Sequence, residues 1–235
     1  MSGHIIHNCV QGTTEWLELR AGIPTASNFS KIITPKGQPS HQAEKYKYLL
    51  LAERLMGHPV EERGYSHWMD RGSEMEARAV SFYEFTRDEE TVKVGFITNA
   101  DGTIGASPDR LVGDRGLLEI KVPSESIHME YLLESGSAYQ EYRVQVQGQL
   151  WIAEREWSDV LSWHPELPPA LIRIPRDDEF IELLSKAVTA FSNQLELAFA
   201  TCLERGWGST RKAKPTTEQE DLVDALKKSL VETQR

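Results

Sequence analysis

Ser107-Pro108-Asp109, followed after nine intervening residues by Glu119-Ile120-Lys121, constrains this chain more than any other segment. Alternation along a strand puts Glu119 and Lys121 on one face and Leu118, Ile120 and Val122 on the other, toward a core. Gly113-Asp114-Arg115-Gly116 reads as a tight connection, which places Asp109 on the preceding strand of a hairpin. Register then decides what faces what. A two-residue turn at Asp114 and Arg115 would pair Asp109 with Ile120 and turn its carboxylate away from Glu119. An odd loop or a bulge restores the facing arrangement, with Gly116 expected to supply the left-handed residue.

Two carboxylates and an ammonium on one hairpin point to a particular chemistry. Carboxylate oxygens suit Mg²⁺ or Mn²⁺, which prefer hard ligands and keep several waters. A lysine beside such an ion orients the attacking water or stabilises charge building on phosphorus. The pattern therefore reads as a metal-dependent phosphodiesterase site. The competing reading is a polar hairpin carrying a surface ion pair between Glu119 and Lys121. Ser107-Pro108 ahead of the aspartate favours the site, as do apolar Leu117, Leu118, Ile120 and Val122. A strand buried enough to carry those residues does not keep two charges without a use for them.

The chain's 235 residues suffice for one sizeable core, and 40% hydrophobic with 26% charged residues is ordinary for a soluble globular protein. No apolar run approaches a membrane span. Met1 to His7 lacks the charged-then-apolar pattern of a signal peptide. Cys9 and Cys202, far apart, give neither a disulfide framework nor a metal knuckle, so a cytoplasmic setting is expected. A net charge of −10 argues against a broad DNA-coating face. It permits a local grip, because acidic metal ligands are neutralised by their ion.

Periodicity organises the rest. Thr25 or Ser27 is placed to cap a short helix through Phe29, Ile32 and Ile33. Helices are expected from about Ser40 to Met56, Gly72 to Thr86, Ser124 to Leu133, Tyr139 to Ala153 and Asp177 to Glu204. Strands are expected over Thr91 to Thr98, Thr103 to Ser107, Leu117 to Val122, Val160 to His164 and Leu171 to Ile174. The sum is an α/β domain, residues 1–205, with a central mixed sheet flanked by helices. Residues 206–235 read as a basic connector, with Arg211, Lys212 and Lys214, leading to an amphipathic helix or tail.

Five ordered blocks carry a resemblance. They are Trp16-x-x-Leu19-Arg20-x-Gly22-x-x-Thr25-Ala26-Ser27; Gly72-x-x-x-Glu76 leading to Tyr83-Glu84-Phe85-Thr86; Ser107-Pro108-Asp109; Leu118-Glu119-Ile120-Lys121-x-Pro123; and Gln145-Val146-Gln147 leading to Trp151. From about Trp16 to about Glu204 the chain resembles the lambda-type viral recombination exonucleases of the PD-(D/E)xK superfamily. The resemblance implies a restriction-endonuclease-like core and a processive 5′-to-3′ exonuclease acting on double-stranded DNA ends. It further implies Mg²⁺, a ring-shaped homotrimer, mononucleotide products, and a 3′ single strand left for a single-strand annealing protein. By position it makes Asp109 and Glu119 metal ligands, adds the Ile120 carbonyl, and gives Lys121 the water. It brings Glu76 to the site from a helix. It assigns Arg20, Thr25, Ser27, Ser107 and Gln147 to a pocket for a terminal 5′ phosphate.

Several of these residues have plainer readings. Arg20 is placed to pair with Glu18, Thr25 and Ser27 to cap a helix, and Glu74 stands close enough to Glu76 to exchange with it in alignment. Gln145 and Gln147 cannot share a helix face, and the motif register selects Gln147. Trp16 reads as a packing residue, and His128 and His164 are assigned no role. The loop from Pro35 to His41 falls where the family contacts duplex DNA, with Lys36 its sole cation between Pro35 and Ser40. Three rival functions remain: a site-specific endonuclease, a catalytically idle DNA-end scaffold, and a metal-binding module unrelated to DNA. The phosphate pocket and the absence of a base-reading domain argue against the first. The intact Asp109, Glu119 and Lys121 argue against the second.

Overall fold

Alternating apolar and polar positions settle into two sheets in a computed structural model that describes residues 3–60, 65–134 and 136–208. In chain order the elements begin with β1 (His4–His7), α1 (Thr14–Arg20), a 3-10 helix (Ala26–Lys31), α2 (Ala43–Met56) and α3 (Tyr65–Arg87). Five strands follow: β2 (Thr91–Lys93), β3 (Phe96–Asn99), β4 (Gly105–Ala106), β5 (Arg110–Val112) and β6 (Gly116–Lys121). The chain continues through α4 (Glu125–Leu133), α5 (Ser137–Ile152), β7 (Trp157–Ser162), β8 (Ala170–Pro175) and α6 (Asp178–Glu204).

The larger sheet has the order β2-β5-β6-β7-β8, and the smaller one β1-β3-β4. β6 and β7 run parallel, joined by the crossover through α4 and α5, while the other pairings in the larger sheet are antiparallel. The expected mixed sheet flanked by helices is present. Neighbouring residues of β6 serve opposite faces. Leu117 packs with α5 and α6 in the main core, and Leu118 packs with Ala79, Val80 and Tyr83 of α3. Both leucines are fully buried, each contributing about 1.5–3 kcal/mol. By the same alternation Glu119 and Lys121 face α5, whereas Ile120 faces α3.

Two differences from the sequence expectation have clear causes. Thr91 to Thr98, expected as one strand, divides into β2 and β3, which lie in different sheets. The break falls where side chains take backbone carbonyls: Gln11 Nε2 donates to Val94 O at 2.9 Å and Trp16 Nε1 to Gly95 O at 3.2 Å. Gly95 also lets Cys9 approach, since an added Cβ would meet the Cys9 carbonyl oxygen at 2.2 Å. α3 begins at Tyr65 and runs through Gly72, which was expected to start it. A glycine inside a helix costs about 1 kcal/mol, which tertiary packing of the helix overrides.

α6 follows its pattern closely: Asp177 caps it by accepting from Phe180 N at 3.0 Å, and Phe180, Leu184, Val188, Phe191 and Leu195 are buried. Among the described residues no helix is long and apolar enough to cross a membrane. The amphipathic segment expected from Glu218 to Val231 lies outside the described residues.

Candidate active site

The hairpin register settles whether the two carboxylates meet. Arg110 pairs with Leu118, Leu111 with Leu117 and Val112 with Gly116, so Gly113, Asp114 and Arg115 form an odd loop. The left-handed residue is Gly113, at φ +49°, and not Gly116 as expected. Gly116 stays in the strand, where an added Cβ would come within 2.2 Å of the Trp157 ring. Extending the register by one places Asp109, a bend residue just ahead of β5, opposite Glu119.

Asp109 is held by the backbone of the opposing strand, its Oδ2 accepting from Ile120 N at 2.6 Å. Gln11 fixes the segment from behind by donating to Pro108 O at 2.9 Å as well as to Val94. Glu119 is 4% exposed. Its Oε1 accepts from Lys121 Nζ at 2.6 Å and Gln145 Nε2 at 2.5 Å, and its Oε2 from Gln149 Nε2 at 2.7 Å. Gln145 and Gln149 are one helical turn apart on α5, on the face turned to β6.

Charge is crowded here. Burial pushes the Asp109 carboxyl well above its ordinary range, and the Glu119 charge pushes it further, against the opposing pull of the Ile120 N–H and the Lys121 ammonium. Burial works to lower Lys121, but Glu119 and Asp109 more than offset it, and its net shift is upward.

A second cluster adjoins the first through Ser107-Pro108-Asp109. Arg20 Nη1 donates to Ser107 Oγ at 2.9 Å and its Nη2 to Ser27 Oγ at 3.4 Å. Trp16 Nε1 also donates to Ser107 Oγ, at 3.0 Å, and the Arg20 guanidinium lies 4.1 Å over the Trp16 ring. A hydroxyl has two acceptor lone pairs and one proton. With Trp16 and Arg20 on the lone pairs of Ser107, its proton is left to donate. Thr25 is buried behind Ser27, their hydroxyl oxygens 3.3 Å apart. It occupies the cap position of the 3-10 helix, but its side chain caps no backbone N–H.

Comparison with known proteins gives the family. The YqaJ-like viral recombinase domain matches residues 15–156, a span holding Arg20, Ser107, Asp109, Glu119, Lys121 and both glutamines that touch Glu119.

The chain belongs to the YqaJ-like viral recombinase family.

Among solved structures it is similar to an alkaline exonuclease from Laribacter hongkongensis, at 33% identity and a TM-score of 0.73, covering 83% of this chain and 98% of that one. The same enzyme in complex with dAMP matches at 32% identity and a TM-score of 0.72, with the same coverage. A phage-related exonuclease from Haemophilus somnus 129PT shares the fold, at 16% identity, a TM-score of 0.61 and coverage of 76% and 96%. None of the curated proteins compared with the chain matches it. Family and neighbours together support a nuclease.

Not every residue lies where the motifs put it. Gln147 does not reach the Arg20 cluster. It is fully buried, its Nε2 donating to Pro175 O at 2.9 Å and its Oε1 accepting from Asp177 N at 2.9 Å. Both ends of the amide are committed to the junction of β8 and α6. The two glutamines do take different faces, as expected, but Gln145 is the one turned toward the site. Glu76 borders the site from the α3 side, where it pairs with Arg110 at 3.6 Å and its charge adds to the upward push on Asp109. Trp16 is a packing residue that also positions Ser107. His128 is a buried bracket, bonding Ser162 Oγ at 2.7 Å and Pro168 O at 2.8 Å. Gln11 and Gln149 went unnoticed in the sequence. Gln11 has no local signal, whereas Gln149 was legible as the residue one turn after Gln145.

Proposed function

We propose that the chain is a Mg²⁺-dependent exonuclease that degrades double-stranded DNA from its ends, 5′ to 3′. Mononucleotides leave as products, and a 3′ single strand remains for a single-strand annealing protein. The observation that carries this reading is the adjacency of two clusters on one short segment. Ser107 belongs to the Arg20 pocket and Asp109 to the carboxylate pair. A grip for an end phosphate beside a hydrolytic centre is what an exonuclease needs and a sequence-reading endonuclease does not.

The residues fit a divalent ion. Asp109 and Glu119 offer hard oxygens, and the upward push on Asp109 marks crowded negative charge that a cation relieves. The side-chain ligands proposed here are these two carboxylates. That count suits Mg²⁺, with Mn²⁺ as a substitute, the Ile120 carbonyl and waters completing the shell. When bound, the ion polarises phosphoryl oxygen and lowers the pKa of its water. The chain's own residues do the rest. Arg20 meets two oxygens of a terminal phosphate with its planar fork, and Ser27 and Ser107 donate from neutral hydroxyls. Gln145 and Gln149 keep the Glu119 carboxylate in one rotamer. Lys121 orients the attacking water and counters charge on phosphorus. Glu76 bears on the Asp109 carboxyl from the far side.

A homotrimeric ring in a bacterial host cytoplasm completes the reading, since encirclement of the product makes dissociation slow relative to cleavage. Light scattering tests the ring through the mass in solution. The function itself is tested with end-labelled linear duplex and closed circular plasmid, each with and without Mg²⁺. Loss of linear DNA alone, and only with Mg²⁺, is the expected result. Nicking of the circle would favour an endonuclease, and no cleavage of either would favour an idle scaffold.

A further inference from the structure

Three groups surround the Lys121 ammonium. Its Nζ lies 2.6 Å from Glu119 Oε1, 3.4 Å from Gln145 Oε1, and 4.5 Å from the centroid of the Tyr142 ring. Tyr142, Gln145 and Gln149 recur at helical spacing on the face of α5 turned to β6. The first of them touches the lysine through a ring, not through a polar atom.

Tyr142 is itself braced. Tyr131 on α4 donates to the Glu141 carboxylate, and its hydroxyl lies 3.3 Å from that of Tyr142. The two rings meet edge to face, with centroids 6.3 Å apart and planes at 73°. α4 and α5 form the crossover between β6 and β7, so the brace joins both crossover helices to the end of β6.

The physical need is specific. A lysine carries a compact charge on a flexible four-carbon stem with three rotatable donors. A carboxylate alone lets that ammonium swing around its oxygens. An aromatic face attracts the cation from one side and so limits the swing. The ring contact draws on no oxygen of Glu119, so it persists when that carboxylate is engaged elsewhere.

We propose that Tyr142 is a positioning residue for the nuclease reaction: its ring, locked by Tyr131, holds the Lys121 ammonium at the Asp109–Glu119 pair. The role rests on the exonuclease reading above, so its test has one measurement independent of activity.

In protein labelled with ¹³C at the lysine Cε, the Lys121 methylene should be shifted upfield by the ring, with its signal assigned by loss in Lys121→Met. The shift should survive in Tyr142→Phe and move to the ordinary lysine range in Tyr142→Met. On 5′-phosphorylated duplex, Tyr142→Met should lower kcat about three- to thirty-fold with KM unchanged, while Tyr142→Phe keeps kcat within about twofold. A wild-type spectrum without an upfield lysine overturns the contact, whatever the activity. Full kcat in Tyr142→Met, or equal loss in both variants, overturns the role of the ring. A wild-type protein that shows the shift but digests no DNA overturns the nuclease reading, and the catalytic role with it.

Discussion

Gln149 Nε2 donates to Glu119 Oε2 at 2.7 Å, from a side chain that is itself 1% exposed. The bond fixes the acid that Lys121 and Gln145 hold through the other oxygen. Gln147, on the other side of α5, makes no contact of this kind. A pair of variants therefore separates two roles within one helix. Gln149→Leu removes a donor to a buried carboxylate, an interaction worth roughly 1.5–3 kcal/mol, and should lower kcat by on the order of tenfold or more. Gln147→Leu leaves the Asp177 N–H without its partner and should cost about 1–3 kcal/mol of stability, read as a lower urea midpoint. Its kcat, measured where the protein is still folded, should match wild type. A large kcat loss in Gln147→Leu under those conditions would return that residue to the site.

Asp109→Ala and Glu119→Ala should each abolish cleavage, while Lys121→Ala should be severely impaired and still bind metal. Robust Mg²⁺-dependent digestion by Glu119→Ala would remove the whole assignment. The Asp109 carboxyl also predicts how the metal-free protein responds to pH. Its folded pKa lies well above the ordinary value. In that interval the folded state binds more protons than the unfolded one, so stability falls as pH rises. The contribution is fully present below about pH 4 and is lost as pH rises through the folded pKa. Asp109→Asn removes the titration. In EDTA, urea midpoints should fall more steeply between weakly acidic and alkaline pH for wild type than for Asp109→Asn. Parallel profiles would reject the crowding of charge at this carboxyl.

Asp159 on β7 is fully buried. It accepts from Tyr83 OH at 2.8 Å and from Arg173 through two bonds, each of 2.8 Å. Tyr83 belongs to α3, the helix that carries Glu76. Arg173→Met takes the bidentate partner from a buried carboxylate, leaving it the Tyr83 hydroxyl and Arg87 Nε at 3.8 Å, and should cost about 3 kcal/mol, more than a surface ion pair. Asp159→Asn combined with Arg173→Met should recover part of that loss, because the buried charge left with only the more distant Arg87 is gone. Denaturation midpoints of the single and double variants decide it.

These residues show how far the sequence could be read. The Asp109–Glu119 hairpin was legible because period-two alternation fixes facing residues once the loop is odd, and Gly113-Asp114-Arg115-Gly116 confines the turn. The helices followed from apolar periodicity, and α6 with its Asp177 cap was nearly complete in the pattern. Gln147 was misplaced because a motif gives the order of residues but not the rotation of the helix that bears them. The division of Thr91 to Thr98 was hidden for another reason. Gln11 and Trp16, far away in sequence, take the carbonyls of Val94 and Gly95. Asp159, Tyr83 and Arg173 come from three separate elements, and nothing local to any of them announces the others.

Arg20 should account for much of the preference for 5′-phosphorylated ends. Its guanidinium lies over the Trp16 ring at 4.1 Å, with one nitrogen on Ser107 at 2.9 Å. Stacking and the Ser107 bond fix the plane of the fork, so less freedom is lost when an anion arrives. A terminal phosphate carries more negative charge than an internal one, and the fork can meet two of its oxygens. Such a charge-assisted contact is worth roughly 1.5–3 kcal/mol, on the order of ten- to a hundred-fold in discrimination. Arg20→Ala should narrow the gap between 5′-phosphoryl and 5′-hydroxyl ends, mainly by slowing the phosphorylated substrate. Metal binding should not change, because a guanidinium carries no acceptor for a metal ion and Arg20 donates to Ser107 and Ser27. Arg20→Lys should restore little, since an ammonium neither stacks on Trp16 as a plane nor forks. Initial rates on two duplexes that differ only at the 5′ group supply the measurement. Equal wild-type rates on both would dismiss the pocket. An unchanged ratio in Arg20→Ala would keep the pocket and take Arg20 out of it.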